Sequence, residues 1–240
     1  MKSPIKCAII GYGYMGEIRR KVLEQNNDVE LSLICEPDRE KLAGAQNFAV
    51  VTDPAQVIQS DADAVFVCTP NQLIPELTIK CLERGKHVFC EKPPGKTLHD
   101  IVQIQASEVK NPGTKVMFGF NHRYHPGVLR AKSIVDSGRM GNIIVLRGLY
   151  GKSGGKNFSQ SWRNDFKIAG GGILLDQGIH MLDLFNYFLG GFTSLKSFLS
   201  DSHWGFEVED NAVVILKNDF GQLATLHSSS TFWKHMFQLN

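Results

Sequence analysis

Residues Gly11-Tyr12-Gly13-Tyr14-Met15-Gly16 limit what this chain can fold into more than any other stretch. They follow Ile5–Ile10, a run apolar but for Lys6, and they open Gly16–Gln25, which has helical spacing. A strand that enters a helix through three close glycines begins a βαβ unit. The first glycine permits the tight turn, the second lets backbone approach a pyrophosphate, and the third lets helix and strand pack closely. The helix then turns its unpaired N–H groups toward the anion. An acid that binds ribose is expected ~20 residues on, at the end of the second strand. Glu36 stands there, whereas Asp38, beyond Pro37, reads as the start of the next helix. A carboxylate at that point accepts from ribose hydroxyls and repels a 2′-phosphate. NAD is therefore expected, with NADP left open by the nearby Arg39 and Lys41.

Short apolar runs alternate with helical patterns through the first half. Strands are expected at Ile5–Ile10, Leu31–Cys35, Ala64–Cys68, His87–Cys90 and Lys115–Gly119. Helices are expected at Gly16–Gln25, from Pro37 to Gly44, at Leu73–Arg84 and at Leu98–Val109. Strands separated by helices give right-handed crossovers and a doubly wound parallel sheet. The pattern changes after Asn121, so residues 1–121 read as a dinucleotide-binding Rossmann domain and 122–240 as a second α/β domain. There a helix is expected at His125–Ser137 and a strand at Ile143–Tyr150. Gly151–Lys167, rich in Gly, Ser, Lys and Asn, reads as a mobile loop, and Ile173–Leu189 as a helix. Val208–Lys217 and Leu223–Ser230 form a hairpin around Asn218-Asp219-Phe220-Gly221. The second sheet is expected to be open and mostly antiparallel. Phe232–Asn240 reads as a strand beginning, so the chain is expected to be part of a longer protein with an incomplete second domain.

The net charge is only +2 and the charges are mixed along the chain, which gives no basic stripe for nucleic acid and no polybasic anchor. No apolar run approaches the ~20 residues that span a bilayer. The N-terminus, Met1–Lys6, leads straight into a strand, and a cytoplasmic protein is expected. The cysteines Cys7, Cys35, Cys68, Cys81 and Cys90 form no Cys-x-x-Cys pair and read as small buried hydrophobes.

Three further motifs carry chemistry. Thr69-Pro70-Asn71 and Glu91-Lys92-Pro93 each follow a strand of the first sheet and so face its carboxyl edge, where such folds bind ligands. A lysine beside a nicotinamide can orient a substrate hydroxyl and help it lose its proton. Asp176 and His180 stand four apart on a helix, hence on one face, behind Gly170-Gly171-Gly172. The glycines let backbone come near a ligand. A histidine titrating near neutrality suits general-base work, with Asp176 orienting the substrate or the imidazole. By spacing alone, a surface Asp–His pair and a flexible glycine linker are the favoured reading. A zinc site from Asp176, His180 and His122 or His125 lacks a zinc motif, and no metal is expected.

In this order the motifs resemble the Gfo/Idh/MocA family of NAD(P)-dependent oxidoreductases over essentially the whole chain. The resemblance rests on Gly11–Gly16, Thr69-Pro70-Asn71, Gly85-Lys86-His87-Val88 with Glu91-Lys92-Pro93, Asn121-His122-Arg123-Tyr124, and Gly170-Gly171-Gly172 with Asp176-Gln177-Gly178-Ile179-His180. It implies a hydride-transferring sugar or nucleotide-sugar dehydrogenase with Lys92 as catalytic lysine, Asp176 and His180 completing the site, and His180 as base. It implies cofactor contacts from Gly11, Gly13, Tyr14, Met15, Gly16, Glu36, Thr69, Pro70, Asn71, Glu91, Lys92 and Asn121. It also implies a homo-oligomer built on the open sheet. Arg123, Tyr124, Trp162 and Arg163 are its candidate substrate contacts. Arg123, Lys152, Lys156 and Arg163 could meet a phosphate or uronate charge, and Trp162 could stack on a sugar. Where relatives often carry a histidine past Thr-Pro-Asn, this chain has Ile74. An NADPH-dependent ketosugar reductase and a non-catalytic dinucleotide-binding regulator are the alternatives. The presence of Lys92, Asp176 and His180 together argues against the regulator.

Overall fold

The computed structural model describes residues 3–42, 44–155 and 157–240. The chain divides into two compact units, Met1–Gly119 and Phe120–Asn240.

In the first unit β1 (Ile5–Ile10) passes through the glycine turn into α1 (Tyr14–Leu23) and returns as β2 (Val29–Cys35). There follow β3 (Ala49–Val51), α2 (Pro54–Gln59), β4 (Ala64–Val67), α3 (Ile74–Glu83), β5 (His87–Cys90), α4 (Leu98–Lys110) and β6 (Val116–Phe118). All pairings are parallel, in the order β3-β2-β1-β4-β5-β6. Ala8 and Ile10 pack with Val57, Val65 and Ile74 on one face, while Cys7 and Ile9 pack with Leu23 on the other. With both faces covered, β1 has no solvent side, which is why its apolar run does not alternate.

Two parts of this unit differ from the sequence reading. Pro37–Gly44 holds a 3-10 turn at Arg39–Leu42 rather than the start of a longer helix. Asp38 caps it tightly, its Oδ1 accepting from the Glu40 N–H at 3.1 Å and its carbonyl from the Lys41 N–H at 3.1 Å. β3 and α2 were not anticipated. β3 is three residues long, too short to show a period. The signal for α2 was its cap, Asp53, whose Oδ1 accepts from the Ala55 N–H at 2.8 Å with Pro54 at the first helical position.

The second unit contains α5 (Pro126–Asp136), β7 (Val145–Ser153), α6 (Phe166–Ala169), α7 (Ile179–Leu189), β8 (Ser194–Ser200), β9 (Asn211–Lys217), β10 (Leu223–Ser229) and β11 (Thr231–Leu239). Its sheet has the order β11-β7-β10-β9-β8. β7 and β10 are parallel and the other pairs antiparallel, so the sheet is mixed. Met181, Leu184 and Phe185 of α7 and Val128 of α5 pack on Leu146, Val214, Leu216, Ala224 and Leu226. The alternate residues of β9, Val213 and Ile215, face away and are 45% and 49% exposed. The hairpin turn is as expected: Asn218 Oδ1 accepts from the N–H groups of Phe220 and Gln222, at 3.1 and 3.0 Å.

The stretch from Gly151 to Lys167 is not one loop. β7 runs on to Ser153, and 3-10 turns at Phe158–Gln160 and Trp162–Asn164 lead into α6. Its Ser and Asp residues act as caps: Ser161 Oγ accepts from the Arg163 N–H at 3.3 Å and Asp165 Oδ1 from the Lys167 N–H at 2.8 Å. Lys156 lies outside the described residues. β8 was also missed, because nearly all of it is exposed and it lacks an apolar period. The C-terminal strand is paired: Met236–Leu239 of β11 run antiparallel to Gly151–Gly148 of β7.

The five cysteines are free thiols. Burial pushes Cys7 and Cys35 up to about 11 and Cys81 and Cys90 up to about 12, as inert packing groups require. Among the described residues no helix is long and apolar enough to cross a membrane.

Candidate functional site

The first unit gathers its candidate residues along the carboxyl edge of the parallel sheet. Gly11 ends β1 with φ +91°, and a Cβ there would lie 2.7 Å from the Cys68 carbonyl oxygen. A Cβ on Gly16 would lie 2.2 Å from the Gly11 carbonyl oxygen. Both positions therefore need glycine for the chain to close on itself. Gly13 differs: a Cβ there meets nothing within 4 Å. It is the N-cap of α1 and makes no side-chain cap bond, so the helix presents its first N–H groups uncapped by a side chain. Thr69, at the end of β4, has a buried Oγ1 with no hydrogen-bond partner. An open approach at Gly13, an uncapped helix end and an orphaned hydroxyl beside Gly11 fit the pyrophosphate of a dinucleotide. Tyr14 is 79% exposed, Met15 and Pro70 are half-buried and Asn71 is buried.

Glu36 is buried at the end of β2. Its Oε2 accepts from the Tyr12 N–H at 2.8 Å and its Oε1 from the Asp38 N–H at 3.0 Å. The acid thus ties the glycine turn to the loop after β2, and each oxygen retains a second acceptor site. Lys41, one of the two cations left open for a 2′-phosphate, pairs with Asp38 at 3.2 Å. Glu91 is buried too, but its carboxylate is held by Arg19 of α1, 2.6 Å from Nη2. Lys92 follows, half-buried, through a cis peptide to Pro93.

In the second unit Asp176 lies in a π-helical turn, Leu174–Gly178, that runs into α7. Its Oδ2 accepts from Lys152 Nζ at 2.7 Å and its Oδ1 from Arg163 Nε at 3.3 Å. His180 is buried, with its ring stacked on His122 at 4.0 Å between centroids. Tyr150 closes the nest, 5.4 Å from His122 and 6.2 Å from His180. Burial, with the charge of Asp176 adding, pushes its phenol up to about 12, so it remains a neutral donor. Arg123 forks onto Asp183, Nε to Oδ2 at 2.7 Å and Nη2 to Oδ1 at 2.5 Å. The pair leaves the Arg123 side chain 36% exposed. The Arg163 guanidinium lies over the ring of Trp162, 4.5 Å from the centroid. Tyr124 and Asn121 are exposed. Among the described residues no group of three or more His, Cys, Asp or Glu side chains is placed to hold a metal ion.

Of the glycines before Asp176, Gly172 comes close to the protein's own backbone: a Cβ there would lie 2.0 Å from the Glu209 carbonyl oxygen. The Glu209 carboxylate accepts from the N–H groups of Gly172 at 2.8 Å and Leu174 at 2.9 Å. It caps the helix that carries Asp176 and His180. Sequence reasoning missed Glu209 and Tyr150. Glu209 is 37 residues from Gly172, and only the folded chain brings the two together. The one signal for Tyr150 was its inward place in an alternating strand.

Residues 5–120 match the model of an oxidoreductase family with an NAD-binding Rossmann fold, and residues 128–239 match the GFO/IDH/MocA C-terminal domain. Levoglucosan dehydrogenase of Pseudarthrobacter phenanthrenivorans is 34% identical over 154 residues, 63% of this chain and 38% of the relative. D-glucoside 3-dehydrogenase of Escherichia coli is 33% identical over 204 residues, 81% of this chain and 56% of the relative. A solved levoglucosan dehydrogenase in complex with NADH superposes with a TM-score of 0.90 at 25% identity, covering 99% of this chain and 70% of that one. The chain spans about half the length of the curated relatives it matches.

Proposed function

The chain belongs to the Gfo/Idh/MocA oxidoreductase family, and from that premise we propose that it is part of an NAD-dependent dehydrogenase acting on a secondary hydroxyl of a sugar. The observation that carries the reading is the convergence of the uncapped α1 terminus, Glu36 and Lys92 at one edge of the parallel sheet. The relatives named above, a levoglucosan and a D-glucoside dehydrogenase, make a sugar the favoured substrate class.

The nicotinamide cofactor supplies the hydride acceptor. The N–H groups at the start of α1 would hold its pyrophosphate and Glu36 its ribose. With both carboxylate oxygens anchored on backbone, Glu36 cannot swing away from a 2′-phosphate, and this supports NAD over NADP. On oxidation the substrate carbon loses a hydride and its hydroxyl loses a proton. His180 takes that proton, Lys92 orients the oxygen and stabilises the charge that develops on it, and Asp176 orients the substrate. The relatives named above make a neutral sugar or glycoside the expected substrate. Arg123 is neutralised by Asp183, whereas Lys152 and Arg163 share the one carboxylate of Asp176 and leave a net positive charge that the phosphates of a nucleotide sugar would also satisfy. A partner copy bound at the open face of the second sheet would complete the assembly.

The deciding experiment titrates NADH and NADPH into the full-length protein by fluorescence, then screens free sugars, glycosides and UDP-sugars for growth of reduced-cofactor absorbance. Tighter NADH binding and turnover of a neutral sugar are expected. Equal or tighter NADPH binding would overturn the cofactor assignment, and turnover confined to UDP-sugars would overturn the neutral-substrate assignment.

A further inference from the structure

We propose that Arg19 is a positioning residue that fixes Lys92 relative to the dinucleotide; the inference rests on the reading of Lys92 given above. Arg19 lies on α1, three residues beyond the last glycine of the turn. Its Nε donates to Glu91 Oε1 at 2.8 Å and its Nη2 approaches the same oxygen at 2.6 Å. Both side chains are largely withdrawn from water, 16% and 8% exposed. The guanidinium also lies over the ring of Phe89, 4.5 Å from its centroid, so strand β5 holds it from below as well. The other oxygen of Glu91 rests against Gly119, where a Cβ would come within 2.8 Å of Oε2. Glu91 is therefore gripped on both sides, and its own N–H is bonded to the Val67 carbonyl at 2.9 Å.

Lys92 is the next residue. Its backbone starts from a point fixed by the strand and by the ion pair together. The partner in that ion pair belongs to the helix whose N-terminus would hold the phosphates. Arg19 thus joins the element that would seat one end of the cofactor to the loop that carries the proton-handling lysine. A buried ion pair adds little net stability compared with well-packed apolar groups, but it does set register. Here the register set is the span between the phosphate cradle and Lys92. Lysine in place of Arg19 would keep the charge but lose the two-nitrogen grip.

The test compares the unsubstituted protein with Arg19→Met, Arg19→Lys and Glu91→Gln, all full length. NADH affinity is read by fluorescence. Acylation of Lys92 by an amine-reactive ester, with and without saturating NADH, is read by mass spectrometry. The constants kcat and KM follow with whichever sugar is turned over. In the unsubstituted protein NADH should slow Lys92 acylation severalfold. Arg19→Met should still bind NADH but lose most of that protection, with kcat down by about 10–100-fold and KM little changed, as misplacement of a reacting group requires. Arg19→Lys should recover part of both. If Arg19→Met does not fold, Glu91→Gln, which keeps the shape and removes the charge, should show the same loss. Full protection and full kcat in either folded variant would overturn the inference. So would a fall in kcat matched by loss of NADH affinity, which marks a purely structural role. Failure of the unsubstituted protein to bind NADH would overturn the cofactor reading and the inference with it, and is distinguished because it needs no substitution.

Discussion

Glu36 has a structural task that its position in the sequence did not announce. Beside the ribose contact proposed for it, it satisfies the backbone N–H groups of Tyr12 and Asp38. Glu36→Ala should therefore cost about 1–3 kcal/mol of stability, because a buried donor is left unmade. It should also weaken NADH binding more than NADPH binding. Thermal denaturation and paired cofactor titrations measure the two effects, and unchanged stability would show that water replaces the carboxylate. For Lys92 and His180 the expectation is different. Lys92→Ala and His180→Ala should leave NADH affinity nearly intact while turnover falls by about 10²–10⁴-fold, the range for an acid/base group. Full turnover in either variant would remove that residue from its assigned role.

Elements in this protein are pinned by carboxylates that no motif announces. Glu209 caps the turn that carries Asp176, and Asp210 beside it holds the segment that leads to β9. Asp210 Oδ2 accepts from the N–H groups of His203 at 2.8 Å and Trp204 at 3.0 Å, and its Oδ1 accepts from Asn211 Nδ2 at 2.9 Å. Burial alone would push this carboxyl up. The bonds from Asn211, Trp204 and His203 outweigh burial and hold it below the ordinary carboxylate range. A lowered folded-state value means that the unfolded chain binds the proton more readily. The stability Asp210 contributes is thus present above about pH 3.9, its unfolded value, and is lost as pH falls through the folded one. Asp210→Asn should lower stability at neutral pH and flatten the acid limb of the stability curve. Denaturant melts between pH 3 and 7 would decide this, and an acid limb as steep as that of the unsubstituted protein would assign the loss to other carboxylates.

On the scale of the whole molecule, one face of the second sheet carries apolar side chains that the described residues leave exposed. Phe198 opposite Val213, together with Ile215, presents apolar side chains 84%, 45% and 49% exposed. Lys196 and Thr225 flank Ile215 and His227 flanks Val213, so the face mixes apolar and polar side chains as partner-covered surfaces do. His227 lies on the same face, opposite Val213 on β10, and burial lowers its pKa. We expect a homo-oligomer that Ile215→Lys disperses without loss of fold. Light scattering after size exclusion and circular dichroism measure this. An unsubstituted protein that is already monomeric at micromolar concentration would refute it.

The pattern along the chain determined the parallel sheet, because a strand covered on both faces must be apolar where it is buried, and Cys7–Ile10 and Ala64–Val67 are. It determined the glycine turn, because no side chain fits at Gly11 or Gly16, and it placed Glu36 and Lys92 at strand ends by counting alone. It also placed Asp176 and His180 four apart in one helical stretch, while the π-helical turn that holds Asp176 left no mark in the spacing. What lay beyond it were contacts between residues far apart in the chain: Arg19 with Glu91, Glu209 with Gly172, His122 with His180 and Arg123 with Asp183. Local composition carries no trace of such partners, so the pairing of Arg123 with Asp183 and the approach of Gly172 to Glu209 emerge only from tertiary packing. Strand pairing followed the same rule. Whether β7 runs parallel or antiparallel to β10, and that β11 forms an edge beside β7, depends on backbone bonds formed only when the sheet assembles. An exposed edge such as β8 shows no period, since nothing packs on it to require one.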